Sequence, residues 1–168
     1  MRKRKFLVLA LFLFTFIVVG AIYKRPVTLA QLCSEIELNL CKNITAYYSL
    51  GKTAVGEKVD FSSENEEFNL LIELIQQQKF RKSFKNFFPS GTKIHPLNNG
   101  DFKWEIMLKF NDPIPMKDGS TASGVLIHLN NFYGDLTIDN MVSRQSIRCN
   151  TKNQQQWARE ILRIIIGE

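Results

Sequence analysis

Apolar and polar positions divide the chain into one long uncharged stretch and a larger region of shorter, periodic segments. The uncharged stretch runs from Phe6 to Ile22, and Thr15 carries its only side-chain hydroxyl. At about 1.5 Å per residue, a helix of this length spans roughly 25 Å, slightly less than the ~30 Å hydrocarbon core of a bilayer. Tyr23 extends the stretch and suits the headgroup boundary. The pattern predicts a transmembrane helix over residues 6–23.

Basic residues flank this stretch unequally. Residues 1–5 contain four Lys or Arg, whereas Lys24 and Arg25 follow the stretch. The positive-inside rule therefore predicts a cytoplasmic basic N-terminus over residues 1–5 and a C-terminal domain outside. Two interpretations are open. An uncleaved signal anchor makes a single-pass protein of the cell membrane, whereas a signal peptide cleaved near Ala21 releases a secreted protein. Lys24 and Arg25 favour the retained anchor, because they occupy the position of a stop-transfer flank.

The periodic region, residues 32–168, is long enough for one domain, which residues 24–31 join to the apolar stretch as a linker. Its clearest element is a helix predicted from Glu64 to about Arg81. Ser63 with Glu66 matches a capping box, and acidic residues at the start with basic residues at the end suit the helix dipole. Four apolar residues lie on one face at helical spacing: Phe68, Leu71, Ile72 and Ile75.

A second capping box, Thr151 with Gln154, predicts a closing helix to about Ile166, with Asn150 as an alternative cap. Four apolar residues mark the side of this helix that is expected to be buried: Trp157, Ile161, Ile164 and Ile165. The domain therefore has two predicted helices, which we expect on one face of a sheet.

Strict alternation of apolar and polar residues predicts the strands. The strongest pattern covers Asp101–Phe110, where one face is expected in the core and the other in water. Further strands are predicted as follows: two strands or one hairpin within Leu32–Leu50, and single strands over Ser123–Asn130, Asp135–Asp139 and Arg144–Cys149. Residues 111–119 contain two prolines and are predicted as a loop. The fold class is thus α+β, with an antiparallel sheet of four to six strands and two packed helices after the transmembrane helix.

The formal charge of +6 suggests a nucleic-acid-binding protein only until its position is considered. Residues 1–25 contain six Lys or Arg and no acid, whereas residues 26–168 contain sixteen basic and sixteen acidic residues. The high pI therefore arises from the topology signal and not from a basic binding face. Nucleic acid is not an expected partner.

Three cysteines, Cys33, Cys41 and Cys149, leave the disulfide state open. Outside the membrane, one disulfide and one odd thiol would be compatible with this number, either Cys33–Cys41 or Cys41–Cys149. The alternative is that all three are free. No pair has the spacing of two to four residues that is typical of a zinc knuckle, so no metal site is predicted.

Residues 79–88 interleave basic and aromatic side chains. One interpretation is a membrane-surface or polyanion patch. The other is a helix end followed by an edge strand, with the phenylalanines in the core and the lysines in water. We favour the second, because the helix dipole already accounts for the cationic residues.

No motif predicts a catalytic or cofactor-binding residue. Gly51-Lys52-Thr53 lacks the first glycine of a phosphate-binding loop, because Ala46 stands in its place. His95 is expected in a turn, and His128 on the polar face of its strand. A Cys149–His128 nucleophile pair is conceivable, but nothing in the sequence brings the two together.

Two further candidates are weak. Asp112, Asp118 and Asp135 lie in predicted loops without the spacing of a calcium-binding loop. Trp104, Phe132 and Tyr133 could line a ligand groove, although aromatic residues in strands more often belong to the core.

The leading hypothesis is a membrane-anchored extracytoplasmic binding or accessory protein that is not an enzyme. Its expected partners are the lipid bilayer, through residues 6–23, and another envelope protein. One alternative is a cell-envelope enzyme with a site built from His128, Cys149 or the loop aspartates. The other is an immunity or inhibitor protein whose sheet edge pairs with its target.

Overall fold

The structure is a computed structural model that describes residues 2–49, 56–87, 103–115, 119–131 and 136–167. Its α-helices are α1 (Arg2–Tyr23), α2 (Leu29–Leu32), α3 (Glu66–Gln77) and α4 (Gln154–Ile166). Its strands are β1 (Asn43–Ser49), β2 (Glu57–Ser62), β3 (Phe80–Lys82), β4 (Lys103–Pro115), β5 (Thr121–Asn130), β6 (Leu136–Asn140) and β7 (Gln145–Thr151). Leu38–Leu40 and Phe84–Phe87 are short 3-10 helices.

The strands described form one seven-stranded sheet in the order β2-β1-β4-β5-β6-β7-β3. All six neighbouring pairs are antiparallel. Strands β4 to β7 are neighbours in the sheet in the same order as along the chain, whereas β3 lies at the edge of the sheet and pairs with β7. The first and third strands along the chain therefore end up at opposite parts of the sheet.

Helices α2, α3 and α4 cover one face of this sheet. We call it the inner face, and the opposite side the outer face. Trp104, Ile106 and Leu108 point to the inner face from β4 and are almost completely buried. Trp157 from α4 meets Trp104 edge to face at 5.6 Å between ring centroids. Apolar residues of the helices complete this core, among them Leu29, Phe68, Leu71, Ile75, Ile161 and Ile165.

The α+β class and the antiparallel sheet are confirmed, but two numbers are wrong. The described residues contain seven strands where four to six were expected, and three α-helices follow α1 where two were expected. The additional helix, α2, is a single turn in which Thr28 accepts the N–H of Gln31 at 3.3 Å and the Gln31 side chain accepts the N–H of Thr28 at 2.9 Å. This capping box was not recognised because too few residues follow it to show a helical period.

Both predicted capping boxes are wrong, and both helices begin later than expected. Asn65 and Asn153 are the N-cap residues of α3 and α4, and neither uses its side chain as a cap. The Asn65 side chain instead accepts the backbone N–H of Ser62 at 2.7 Å, which closes the turn after β2. Helix α3 ends at Gln77, because the residues that would continue it form β3 against β7.

The first strand predicted within Leu32–Leu50 is also wrong. Ile36 and Leu38 alternate with polar residues and are buried, yet Leu38–Leu40 is a 3-10 helix. Turns that pack across a sheet can also bury every second residue. A period of two in the sequence therefore cannot distinguish such turns from a strand. The second strand is confirmed as β1.

The loop predicted over residues 111–119 is replaced in part by strand. β4 continues to Pro115, which pairs with Thr121 of β5 after a shift of register between Phe110 and Ile114. Proline is tolerated at such irregular positions, because the ladder there does not need every N–H. A second shift, beyond Leu108, moves Val125 to the outer face, away from Ile127 and Leu129.

The segment predicted as a linker contains ordered structure. Val27 forms a β-bridge with Phe80, with its N–H 2.9 Å from the Phe80 carbonyl and its carbonyl 2.8 Å from the Phe80 N–H. Leu29 is fully buried in the core. The helix and the folded domain are thus separated by only Lys24–Pro26.

Candidate functional site

Three ionisable side chains from three neighbouring strands meet on the outer face. His128 of β5 lies between Glu105 of β4 and Asp139 of β6, and we call these residues the carboxylate–histidine cluster. His128 Nε2 is 2.5 Å from Glu105 Oε1, and Nδ1 is 3.1 Å from Asp139 Oδ2. Their side chains are 17%, 16% and 23% exposed for His128, Glu105 and Asp139.

Strand register explains why the three residues meet. Asp139 is directly opposite His128, and Met107 is directly opposite on the other side. Glu105 is two residues from Met107, so it shares the outer face and reaches His128 diagonally. His128 was expected on the polar face of its strand, and the structure confirms this position.

The two carboxylates control the charge of the imidazole. Burial alone would lower the pKa of His128, but the hydrogen bond with Asp139 and the negative charges of Glu105 and Asp139 together raise it above its ordinary value of 6.5. Burial likewise opposes ionisation of Asp139, but hydrogen bonds from His128 and Ser146 lower its pKa below 3.8. His128 and Asp139 therefore each stabilise the charged form of the other.

This arrangement limits the chemistry of His128. Both ring nitrogens face carboxylates, so neither is free to accept a proton from a substrate or to bind a metal ion. Within the residues that the structure describes, no group of three His, Cys, Asp or Glu side chains could hold a metal ion. The cluster is suited to pairing charge and to presenting polar atoms on a sheet face.

Two buried polar atoms beside each other on this face have no hydrogen-bond partner among the described residues. One is Asn130 Oδ1, from a residue that is 5% exposed and lies directly opposite Glu105. The other is His128 Nε2, whose close approach to Glu105 is an ion-pair contact and not a well-directed hydrogen bond. Unsatisfied buried polar atoms are uncommon in proteins, so the hydrogen bonding of the outer face is least complete around Asn130 and the carboxylate–histidine cluster.

The conceivable nucleophile pair is not assembled. Cys149 is directly opposite Leu136 and lies on the inner face, whereas His128 lies on the outer face. All three cysteines are free and buried. Burial, the main cause in each case, raises the pKa of Cys33 and Cys149 to about 12 and that of Cys41 to about 11. Such thiols carry little thiolate at neutral pH and are poor nucleophiles.

The remaining candidates are scattered or lie outside the described residues. Trp104 belongs to the core and does not line a groove. Asp112 borders an open polar depression of about 320 Å³ with Asn43 and Ser62. The following candidates all lie outside the described residues: His95, Asp118, Asp135, Phe132, Tyr133 and the Gly51-Lys52-Thr53 segment.

The edges of the sheet differ in how they are protected. The β3 edge is partly covered by the bridge from Val27. The outer edge of β2 carries three charged residues in a row of six, Glu57, Lys58 and Asp60, and Lys58 and Asp60 are about half exposed. Charges on an edge strand oppose pairing with another strand. The edge-pairing expected of an inhibitor therefore has little support at β2.

The basic and aromatic segment around residues 79–88 has mixed outcomes. Phe80 is buried in the core, as the favoured interpretation requires. Phe84 and Phe87 are exposed, however, at 42% and 62%. Both rings contact Tyr23 at the end of α1, with ring centroids 5.7 Å and 4.6 Å from that of Tyr23. The sequence could not show this contact, because the partners are about 60 residues apart.

No protein-family model matches the chain, and comparisons with curated proteins and with solved structures also found no match. Among the described residues, one helix, with its apolar part at Phe6–Tyr23, is long and apolar enough to cross a membrane by length and composition. None of that apolar part is buried inside the protein. Function must therefore be inferred from the chemistry of the side chains themselves.

Proposed function

We propose that the protein is a single-pass membrane protein whose folded domain lies outside the cytoplasm and acts as a binding or accessory module for another envelope protein. The observation that carries this proposal is the exposed apolar helix, which is followed after only three residues by Val27, a residue that forms a β-bridge with Phe80 of the folded domain. Such a helix is unfavourable in water, since each buried CH₂ contributes about 0.8 kcal/mol in favour of an apolar environment.

The short connection suits a binding module that works at the membrane surface. The three residues Lys24–Pro26 are too few to let the domain move far from the end of α1, and Leu29 is buried in the core. A partner held in the same bilayer would therefore meet the domain at a restricted height and orientation, which lowers the entropic cost of association.

The outer face is the surface we propose for this partner. The carboxylate–histidine cluster and Asn130 lie at its centre, and Asn130 Oδ1 lacks a donor in the described part of the chain. The side chains of Glu105 and Asp139 are 16% and 23% exposed, so a partner's donors can reach these carboxylates. Specificity would follow, because a partner without matching donors would desolvate the carboxylates without compensation. Nucleic acid is not among the proposed partners, since residues 26–168 are formally neutral.

Labelling in intact cells tests the topology. We expect a membrane-impermeant maleimide to modify a Lys58→Cys variant from outside and a Lys3→Cys variant only after the membrane is permeabilised. The wild-type chain is the control, because its three cysteines are buried. A shortened, secreted product would instead support cleavage, and labelling of both positions only after permeabilisation would contradict the proposal.

Site-directed photo-cross-linking tests the binding surface. Tyr47 lies on the outer face directly opposite Glu105, whereas Leu70 is 45% exposed on α3, on the other side of the sheet. A photoreactive phenylalanine at position 47 should give one discrete adduct in membranes, and the same group at position 70 should not. We also expect Glu105→Gln, which removes a charge directly opposite Tyr47, to reduce the adduct at position 47. Equal adducts at both positions would contradict binding through the outer face.

A further inference from the structure

The end of α1 and the 3-10 helix Phe84–Phe87 form one aromatic cluster, which we call the aromatic junction (Tyr23, Phe84 and Phe87). Tyr23 stacks on Phe84 with an angle of 12° between the rings, and its ring is tilted by 42° to that of Phe87. Phe84 also reaches the last turns of the helix, because a Cβ added at Gly20 would lie 3.6 Å from its Cζ atom. The aromatic junction therefore lies alongside the C-terminal end of the apolar helix.

Polar contacts fix this junction to the sheet. Tyr23 donates its hydroxyl to the Ser83 carbonyl at 3.2 Å, and Asn86 Nδ2 is 3.1 Å from the Tyr23 hydroxyl. The Asn86 side chain also bonds both backbone groups of Arg148 on β7, at 2.8 Å and 3.0 Å. The position of the 3-10 helix relative to α1 is thus set by the folded domain and not by a free loop.

The phenylalanines remain exposed in spite of these contacts. Phe87 is 62% exposed, and Ile22 beside the junction is 69% exposed, so the apolar surface of α1 continues onto the domain. Lys24 lies over the Phe84 ring, with Nζ 4.5 Å from its centroid. Exposed aromatic rings beside cationic side chains are the composition found where proteins meet lipid headgroups.

We propose that Phe84–Phe87 is a second membrane contact, which inserts into the interfacial layer of the same bilayer that α1 crosses. This inference rests on the proposed membrane span of α1. If Tyr23 lies at the headgroup boundary, a ring that touches both Tyr23 and Gly20 lies within about one helical turn, ~5 Å, of that boundary. Two contacts, a helix and a short aromatic segment, restrict the rotation of the domain about the helix axis. The outer face then keeps one direction relative to the membrane.

Spin labels on the full-length chain in liposomes test the depth of this segment. Three variants, each with one added cysteine, are compared: Phe14→Cys in the middle of the apolar helix, Phe87→Cys in the 3-10 helix, and Lys58→Cys on β2. The native cysteines are buried and compete little for the label. Accessibility to oxygen, which concentrates in lipid, is measured against accessibility to a water-soluble nickel complex.

We expect the label at position 14 to be deep in the bilayer, that at position 87 to be shallow but within it, and that at position 58 to be in water. A lipid-embedded position 14 with position 87 as wet as position 58 would overturn the second contact and leave the anchor intact. A position 14 exposed to water would overturn the membrane span and the second contact together. A position 87 shielded from both reagents would show that protein, and not lipid, covers the aromatic junction.

Discussion

Neighbouring residues of β4 face two different environments. Trp104 lies on the inner face, 1% exposed, and contacts the indole of Trp157. Glu105, the next residue, lies on the outer face, and its carboxylate contacts the imidazole of His128. The same backbone therefore carries an apolar contact on one side and an ionic contact on the other.

This difference separates two sources of stability. Burial of apolar area on the inner face is not directional and does not depend on protonation. The carboxylate–histidine cluster on the outer face depends on geometry and on charge, and breaking one partner leaves the others half-buried without their counter-charge. Substitutions on the two faces should therefore differ in size and in their response to pH.

The largest effect is expected on the inner face. Trp104→Ala should lower the free energy of unfolding by about 3–5 kcal/mol, because it leaves a cavity beside Trp157 of α4. Urea unfolding of the detergent-solubilised chain, followed by near-UV circular dichroism, measures this loss. Trp104→Phe should cost less, since it keeps a ring and removes an indole N–H that has no partner among the described residues.

Met107→Ala is the matched outer-face control on the same strand. Met107 is half-buried opposite His128. Its truncation should cost clearly less than that of Trp104, because the side chain is not enclosed by the helices. Equal losses for the two variants would show that an additional layer covers the outer face and would contradict the comparison.

An intermediate effect is expected in the carboxylate–histidine cluster. His128→Gln should lower the free energy of unfolding by about 1–3 kcal/mol near pH 6, because two half-buried carboxylates lose their cationic partner. A double-mutant cycle with Glu105→Gln isolates the contact between the two residues. The double variant should lose less than the sum of the two single losses, and strict additivity would contradict a direct interaction.

A smaller, pH-dependent effect should distinguish the cluster from the core. The pKa of His128 is raised above 6.5, so its contribution to stability is fully present below pH 6.5 and is lost as the pH rises through the folded value. The pKa of Asp139 is lowered below 3.8, so its contribution is present above pH 3.8 and is lost as the pH falls through the folded value. The difference between wild type and His128→Gln should therefore be largest between pH 3.8 and 6.5.

Measuring the free energy of unfolding of wild type and His128→Gln from pH 4 to pH 9 checks the direction of this pH dependence. The stability loss of Trp104→Phe over the same range should stay nearly constant, because neither side chain titrates. A His128→Gln loss that grows towards pH 9 would mean that the imidazole is stabilised in its neutral form, contrary to the geometry.

The alternation of apolar and polar residues was sufficient to predict which residues of the central strands lie on the inner face. Alternation predicted the central parts of β4 and β5, where Ile106 and Leu108 and their partners Leu129 and Ile127 are buried by the strand period. It failed where tertiary contacts override local preference. Residues 80–82 carry the basic end expected of a helix, but they pair with β7 instead, and a single-sequence pattern contains no record of that partner. Pro113 and Pro115 signal a loop, although irregular pairing in the strand accommodates them.

The candidate site could not be predicted from the sequence, for a related reason. His128 could be placed on the polar face of its strand, but its partners depend on the register of β4, β5 and β6. One of these registers contains a bulge, and a slip of one residue would turn the side chains to the other face. The aromatic junction likewise joins Tyr23 to Phe84 through the fold alone.

The smallest effect is expected at the edge of the outer face, where two of the partners of Asp60, Lys58 and Thr45, contrast in burial. Lys58 Nζ lies 2.5 Å from the Asp60 carboxylate, but both side chains are about half exposed, so water and salt replace most of the interaction. Lys58→Ala should leave the free energy of unfolding unchanged within error. Thr45 donates its hydroxyl to the same carboxylate and is 2% exposed. Thr45→Val should be measurably destabilising, because the Asp60 carboxylate then faces a buried methyl group in place of a hydroxyl. A larger loss of stability for Lys58→Ala than for Thr45→Val would show that burial does not control the polar contacts of this face.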